Sequence, residues 1–197
     1  MRAIDVIEGK VSVLDRADVD TDQIIPKQFL KRIERTGYGP FAFYDWRYDE
    51  DGAERPEFEL NRPQFAGAKV LLAARNFGCG SSREHAAWAL SDYGFDAIVA
   101  PSFGDIFRRN ASKNGLLAIV LPTEEVERLM ESVNLDTGSE MTVDLERLVI
   151  SAPDGREIPF EFDASTRHRL LHGLDEIALT LQHEDAIAAY EVAHGVA

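Results

Sequence analysis

The stretch Asn76-Phe77-Gly78-Cys79-Gly80-Ser81-Ser82-Arg83-Glu84-His85 holds the residue types of this chain best suited to chemistry. Its two glycines permit backbone conformations and close approaches that a Cβ would block. Two hydroxyls follow, then a forked cation suited to a carboxylate. The stretch lies between a continuous apolar run at residues 70–74 and a helical pattern from residue 83 to about 93. Loops at the carboxyl ends of buried strands build ligand sites, and a helix start favours an anion through its free N–H groups and dipole. Ser81 or Ser82 is expected at that start. The same spacing has a structural reading, because Ser81 with Glu84 three residues on matches a capping box. It is not a G-x-S-x-G elbow, since residue 83 is Arg, and no Ser-His-Asp order accompanies it.

Charge distribution bears on the ligand. The chain has 197 residues with 21 basic against 35 acidic side chains, a net charge of −14. That balance argues against an electrostatic hold on DNA, RNA or anionic lipid, which rests on clustered Lys and Arg. Within residues 70–115, however, Arg75, Arg83, Arg108, Arg109 and Lys113 outnumber Glu84, Asp92, Asp96 and Asp105. Residues 26–39 carry Lys27, Lys31, Arg32 and Arg35 against Glu34 alone. A locally positive basin in an acidic protein fits a small di- or tricarboxylate, and solvated helix faces give the same count. The single cysteine, Cys79, excludes an intrachain disulfide and any zinc or iron–sulfur site held by several cysteines of this chain.

The elements that must position these groups read as α/β. Apolar runs at residues 70–74, 97–100 and 116–121 alternate with helical patterns at 83–93 and 103–114, the texture of βαβ units and a buried parallel sheet. A strand-like Lys10-Val11-Ser12-Val13-Leu14-Asp15 precedes an acidic turn at residues 18–22, and a loop region follows over about 26–65. Thr123, followed by Glu124 and Glu125, is an N-cap candidate for a further helix. Residues 141–145, 147–151 and 158–162 read as a meander, with a turn at Pro153-Asp154-Gly155. A helical tail follows from about 164 to 197. The expectation is a single domain over 1–197, with a sheet flanked by helices on both sides. No run approaches the roughly 18 apolar residues of a membrane span, and no signal peptide opens the chain, so cytosol is the expected compartment.

Residues 76–85 resemble the G-x-G-S-S-R-E-H signature of the swivelling domain in the aconitase superfamily. Asp18-Val19-Asp20-Thr21-Asp22-Gln23-Ile24-Ile25-Pro26 is similar to the family's N-terminal T-D-x-I block, and Pro101-Ser102-Phe103-Gly104-Asp105-Ile106-Phe107-Arg108-Arg109-Asn110 to the block after the next strand. Order, spacing and length, with the ending Gly173-Leu174-Asp175-Glu176-Ile177-Ala178-Leu179-Thr180-Leu181, most resemble bacterial small subunits of 3-isopropylmalate dehydratase.

This resemblance implies a β/β/α swivelling domain with a central, partly parallel sheet; periodicity alone fits a flavodoxin-like domain equally. It implies a hydro-lyase interconverting 2- and 3-isopropylmalate through 2-isopropylmaleate, a step of leucine biosynthesis. It further implies a heterodimer in which a [4Fe–4S] cluster on the large subunit acts as Lewis acid, with no metal on this chain. By similarity Ser81 is the base, as an alkoxide, and Asp22 orients groups of the shared site, with an Asx-type turn as its alternative. Ser82 and Arg83 bind a substrate carboxylate. Phe29, Leu30, Lys31 and Arg32 follow the T-D block where relatives place the substrate-specificity loop; Phe29 and Leu30 either meet the isopropyl group or are simply buried. Homoaconitate or citraconate hydro-lyase subunits share the same blocks, and a non-catalytic anion-binding module is the reading of a different class.

Overall fold

The computed structural model describes residues 1–31, 34–135 and 137–195. Strand β1 (Val6–Leu14) leads into an irregular segment containing the one-turn helices α1 (Thr21–Ile24) and α2 (Tyr44–Arg47). Then β2 (Val70–Ala73), α3 (Glu84–Tyr93), β3 (Ala97–Ala100), α4 (Asp105–Lys113), β4 (Leu117–Val120) and α5 (Thr123–Ser132) alternate. A meander of β5 (Ser139–Asp144), β6 (Val149–Ser151) and β7 (Glu157–Pro159) precedes α6 (Ala164–His172), α7 (Glu176–Leu181) and α8 (Glu184–His194). All strands join one sheet in the order β4-β3-β2-β1-β5-β6-β7. The first four run parallel, and β5 to β7 are antiparallel. Among the described residues no helix is long and apolar enough to cross a membrane.

The continuous apolar runs follow from covering both faces of the sheet. Leu71, Ala73, Ile98, Ala100 and Ala118 pack with Ala86, Ala89 and Leu90 of α3 and with Phe107 and Ala111 of α4. Their chain neighbours Val70, Leu72, Ala97, Val99, Leu117 and Ile119 point the other way, against Val126 and Leu129 of α5 and Leu170 of α6. A strand buried on both sides has no polar position to alternate with.

Two local expectations are corrected, and the helical tail is seen to be divided. Strand β1 starts at Val6 rather than Lys10, because residues 6–10 pair with residues of β5 that lie 130 to 138 positions away. The cap of α5 is Pro122, whose carbonyl oxygen accepts from the Glu125 and Val126 N–H groups at 3.0 and 3.1 Å, so Thr123 is already inside the helix. The tail breaks into three helices. Gly173 ends α6 at φ 65°, where a Cβ would come 2.7 Å from the Met1 carbonyl oxygen, and Asp175 caps α7 through the Ala178 N–H at 2.8 Å.

Candidate active site

Strands β1, β2 and β3 end at one edge of the sheet: Leu14 lies beside Ala73, and Leu72 beside Val99. The three loops that leave this edge are laced by backbone hydrogen bonds. Gly78 and Cys79 N–H groups donate to the Val19 carbonyl at 2.8 and 3.2 Å, and the Thr21 N–H donates to the Cys79 carbonyl at 2.9 Å. Phe77 N–H reaches the Ser102 carbonyl at 3.0 Å, and Gly104 N–H the Phe77 carbonyl at 2.9 Å. Gly78 is needed twice over. Its φ is 72°, and a Cβ there would come 2.2 Å from Cγ of Phe107. Gly104 is needed for approach, since its Cβ would meet the Gly78 carbonyl oxygen at 2.5 Å. Asp18 and Asn76, both at φ 58°, take up left-handed turns that their short polar side chains tolerate, and Asn76 Nδ2 donates to Asp18 at 2.9 Å.

Ser81 and Ser82 are not at the helix start. The N-cap of α3 is Arg83, in extended conformation and without a side-chain cap bond, so the Ser81–Glu84 capping box does not form. The reason is the loop lacing: the Ser81 carbonyl accepts from the Arg83 N–H at 2.8 Å and from Thr21 Oγ1 at 3.0 Å, which closes the chain into a turn before the helix begins. Both serine side chains lie exposed. The capping box lies in the T-D block instead, where Asp20 accepts from the Gln23 N–H at 2.8 Å and its own N–H donates to Gln23 Oε1 at 2.9 Å. Asp20 therefore does the turn work that was the alternative for Asp22.

Asp22 is free for another duty. Its carboxylate is ion-paired with Arg83, 61 positions away, and with Lys27 Nζ at 3.2 Å. Both Asp22 and Arg83 are half-buried, at 35% and 21% side-chain exposure. Arg83 has five N–H donors, so its pairing with Asp22 leaves others unused by that contact. Phe29 and Leu30 are half-buried within the short turn Lys27–Lys31. Phe29 stacks on Phe41 at 4.2 Å and edges onto Tyr44 at 4.9 Å, while Lys31 is exposed. Arg32 lies outside the described residues. The positive charge does not gather into one basin: Arg75 pairs with Asp18 at 3.0 Å, and Arg108, Arg109 and Lys113 line a cavity between α4 and α6.

Two conspicuous side chains are set for structure. Burial, then the charges of Asp20 and Asp18, push the Cys79 thiol up, and its Sγ lies 3.4 Å from the Asp18 carbonyl oxygen. Burial, helped by the Arg83 cation, pulls His85 below its ordinary value, and its ring packs on Trp88 at 4.6 Å and Tyr38 at 5.4 Å.

Comparison with known proteins gives the chain its family. The profile described as Aconitase C-terminal domain matches residues 1–124, and LeuD_N matches 127–164. The profile for the C-terminal domain of the 3-isopropylmalate dehydratase small subunit matches 176–194. A 3-isopropylmalate dehydratase small subunit from Rhodopirellula baltica is 59% identical over 196 residues, covering 99% of this chain and 100% of that one. The chain belongs to the 3-isopropylmalate dehydratase small-subunit family. A small subunit from Bacillus subtilis is 57% identical over 93% of this chain and 92% of its own. A crystal structure of 3-isopropylmalate dehydratase from Methanocaldococcus jannaschii superposes with a TM-score of 0.66 at 27% identity, over 94% of this chain and 99% of that one.

In this member of the 3-isopropylmalate dehydratase small-subunit family, three residues that sequence reasoning passed over take part in the site. Lys27 counted there only as a basic residue, and Gly104 only as part of a matching block. Thr21 is 1% exposed, and its hydroxyl holds the Ser81 carbonyl. A Thr in a T-D block signals a cap or turn, and nothing in the sequence points it at Ser81. Thr21→Val is expected to lower stability by about 0.5–1.5 kcal/mol, the net worth of one hydrogen bond. Thr21→Ser, which keeps the hydroxyl, should melt nearer the parent; thermal denaturation of both variants checks this.

Proposed function

We propose that this chain is the small subunit of a 3-isopropylmalate dehydratase, a hydro-lyase interconverting 2- and 3-isopropylmalate through 2-isopropylmaleate in leucine biosynthesis, and that it works only with a larger partner subunit. The observation that carries the reading is the end-to-end identity to small subunits of that name. The site supports it: the Ser81 and Ser82 side chains lie exposed beside the half-buried Asp22–Arg83 pair, on loops held by backbone hydrogen bonds.

In this reading Ser81 Oγ, as an alkoxide, takes the proton from the carbon next to the one bearing the hydroxyl. The C–H electron pair forms the double bond of 2-isopropylmaleate, and the C–O bond of the neighbouring carbon breaks with its electron pair, so that the departing hydroxide and the proton held by Ser81 together make up the water lost. Rehydration with the opposite regiochemistry completes the shift. A serine hydroxyl is a weak base in water, so its anion needs nearby cations and exclusion of solvent by the partner. Arg83 is the cation at hand, and with the Ser82 hydroxyl it binds a substrate carboxylate while Asp22 fixes its orientation. Phe29 and Leu30 face the isopropyl group, flanked by Lys31 and Arg32. A [4Fe–4S] cluster takes about three or more cysteines, and this chain has one. The cluster therefore belongs to the large subunit, where it would supply a Lewis acid.

Co-expression with a large subunit and anaerobic assay on 2-isopropylmalate tests the proposal. The complex is expected to form 3-isopropylmalate, and the isolated chain to be colourless and inactive. Turnover by the chain alone, or a complex that acts on homoaconitate or citraconate and not on 2-isopropylmalate, would overturn it.

A further inference from the structure

The cavity between α4 and α6 has a volume of about 450 Å³, the size of a small-ligand site. None of the residues of the interlocked loops at 76–83 lines it. Four cations do, namely Arg108, Arg109, Lys113 and Arg169, against the two acids Asp105 and Asp163. Several of these charges have partners. Lys113 Nζ meets Glu176 at 2.6 Å, and Asp163 caps α6 by accepting from the Thr166 N–H at 2.8 Å. Hydrogen bonds from Thr166, then the charge of Arg108, hold the Asp163 carboxyl below the usual carboxylate range.

Arg169 is different. Its Nε and Nη2 are buried and have no hydrogen-bond partner among the described residues. Buried polar groups are nearly always satisfied, because an unmade bond forfeits the hydration the group gave up. Arg109 lies exposed on the same cavity and makes no ion pair among the described residues. An excess of positive charge around a cleft open to solvent, in a chain of net charge −14, is complementary to an anion.

We infer that this cavity binds a compact small-molecule dianion, a phosphate or a dicarboxylate, with Arg169 and Arg109 as its forked donors. Guanidinium groups match two oxygens of such an anion at once, which an ammonium does not. The inference does not rest on the role proposed for Ser81, and no residue of the interlocked loops enters it.

Titration calorimetry of the full chain with sodium phosphate and with sodium malate, at ionic strength fixed with sodium chloride, tests the site. Saturable binding of one anion per chain is expected for at least one probe. Arg169→Gln and Arg109→Gln should each weaken it about tenfold or more, the worth of a charge-assisted hydrogen bond, while Arg128→Gln, exposed on α5 and outside the cavity, leaves it unchanged. Tighter phosphate than malate identifies a phosphate site, and the reverse a dicarboxylate site. Arg109 is exposed, so its variant keeps the test valid even where Arg169→Gln does not fold. Absence of saturable binding by both probes, parent-like affinity in Arg109→Gln, or loss of binding in Arg128→Gln would each overturn the inference.

Discussion

Replacing Ser81 by Ala is expected to lower turnover of the assembled enzyme by about 10²- to 10⁴-fold, the range contributed by a positioned base. The same substitution should leave the melting temperature and partner binding near those of the parent. Loss of an N-cap hydroxyl costs about 0.5–2 kcal/mol, but α3 is capped at Arg83 and the Ser81 side chain is exposed. The Ser81 carbonyl keeps both of its hydrogen bonds in the Ala variant, since they involve backbone. Activity and stability are therefore expected to separate. Steady-state kinetics on the complex beside thermal melts of the isolated chain measure the two. A variant with near-normal turnover would move the base to the large subunit.

Gly78→Ala is expected to act through the scaffold instead. A Cβ at Gly78 would come 2.2 Å from Cγ and 2.5 Å from Cδ1 of Phe107. Phe107 cannot yield easily: it is 2% exposed and edges onto Phe77 at 5.5 Å. Overpacking of this kind costs about 1–3 kcal/mol, and the left-handed backbone adds about 1–2 kcal/mol for a residue with a Cβ. For a chain of this size the melting temperature should fall by roughly 5–20 °C. Gly155→Ala is the control, because Gly155 has φ 86° with nothing within 4 Å of a built Cβ. It should show the backbone part alone. Equal melting temperatures for the two variants would mean that Phe107 moves aside, and that the close packing of α4 under the Gly78 loop is not what fixes Ser81.

The sequence by itself determined the order of elements and which residues stand as candidates for the site. The runs at 70–74, 97–100 and 116–121 became β2, β3 and β4 within a residue or two, because a strand buried on both faces must be apolar at every position. Ser81, Ser82 and Arg83 stand out by residue type and by their place between strand and helix, whereas Asp22 is a candidate only through the resemblance of residues 18–26 to the T-D block. What stayed hidden depended on partners far along the chain. The capping box that the spacing suggests at Ser81–Glu84 does not form, and one forms instead at Asp20–Gln23. Thr21, whose bond to the Ser81 carbonyl helps decide this, lies 60 positions away. The pairing of Asp22 with Arg83, the need for glycine at position 104 and the start of β1 at Val6 likewise arise only when separate loops or strands meet. Local spacing encodes contacts between neighbours in sequence. The bonds that lace these loops use N–H and C=O groups that almost every residue carries, so they leave no signature in residue type, and only the folded chain decides which of them form.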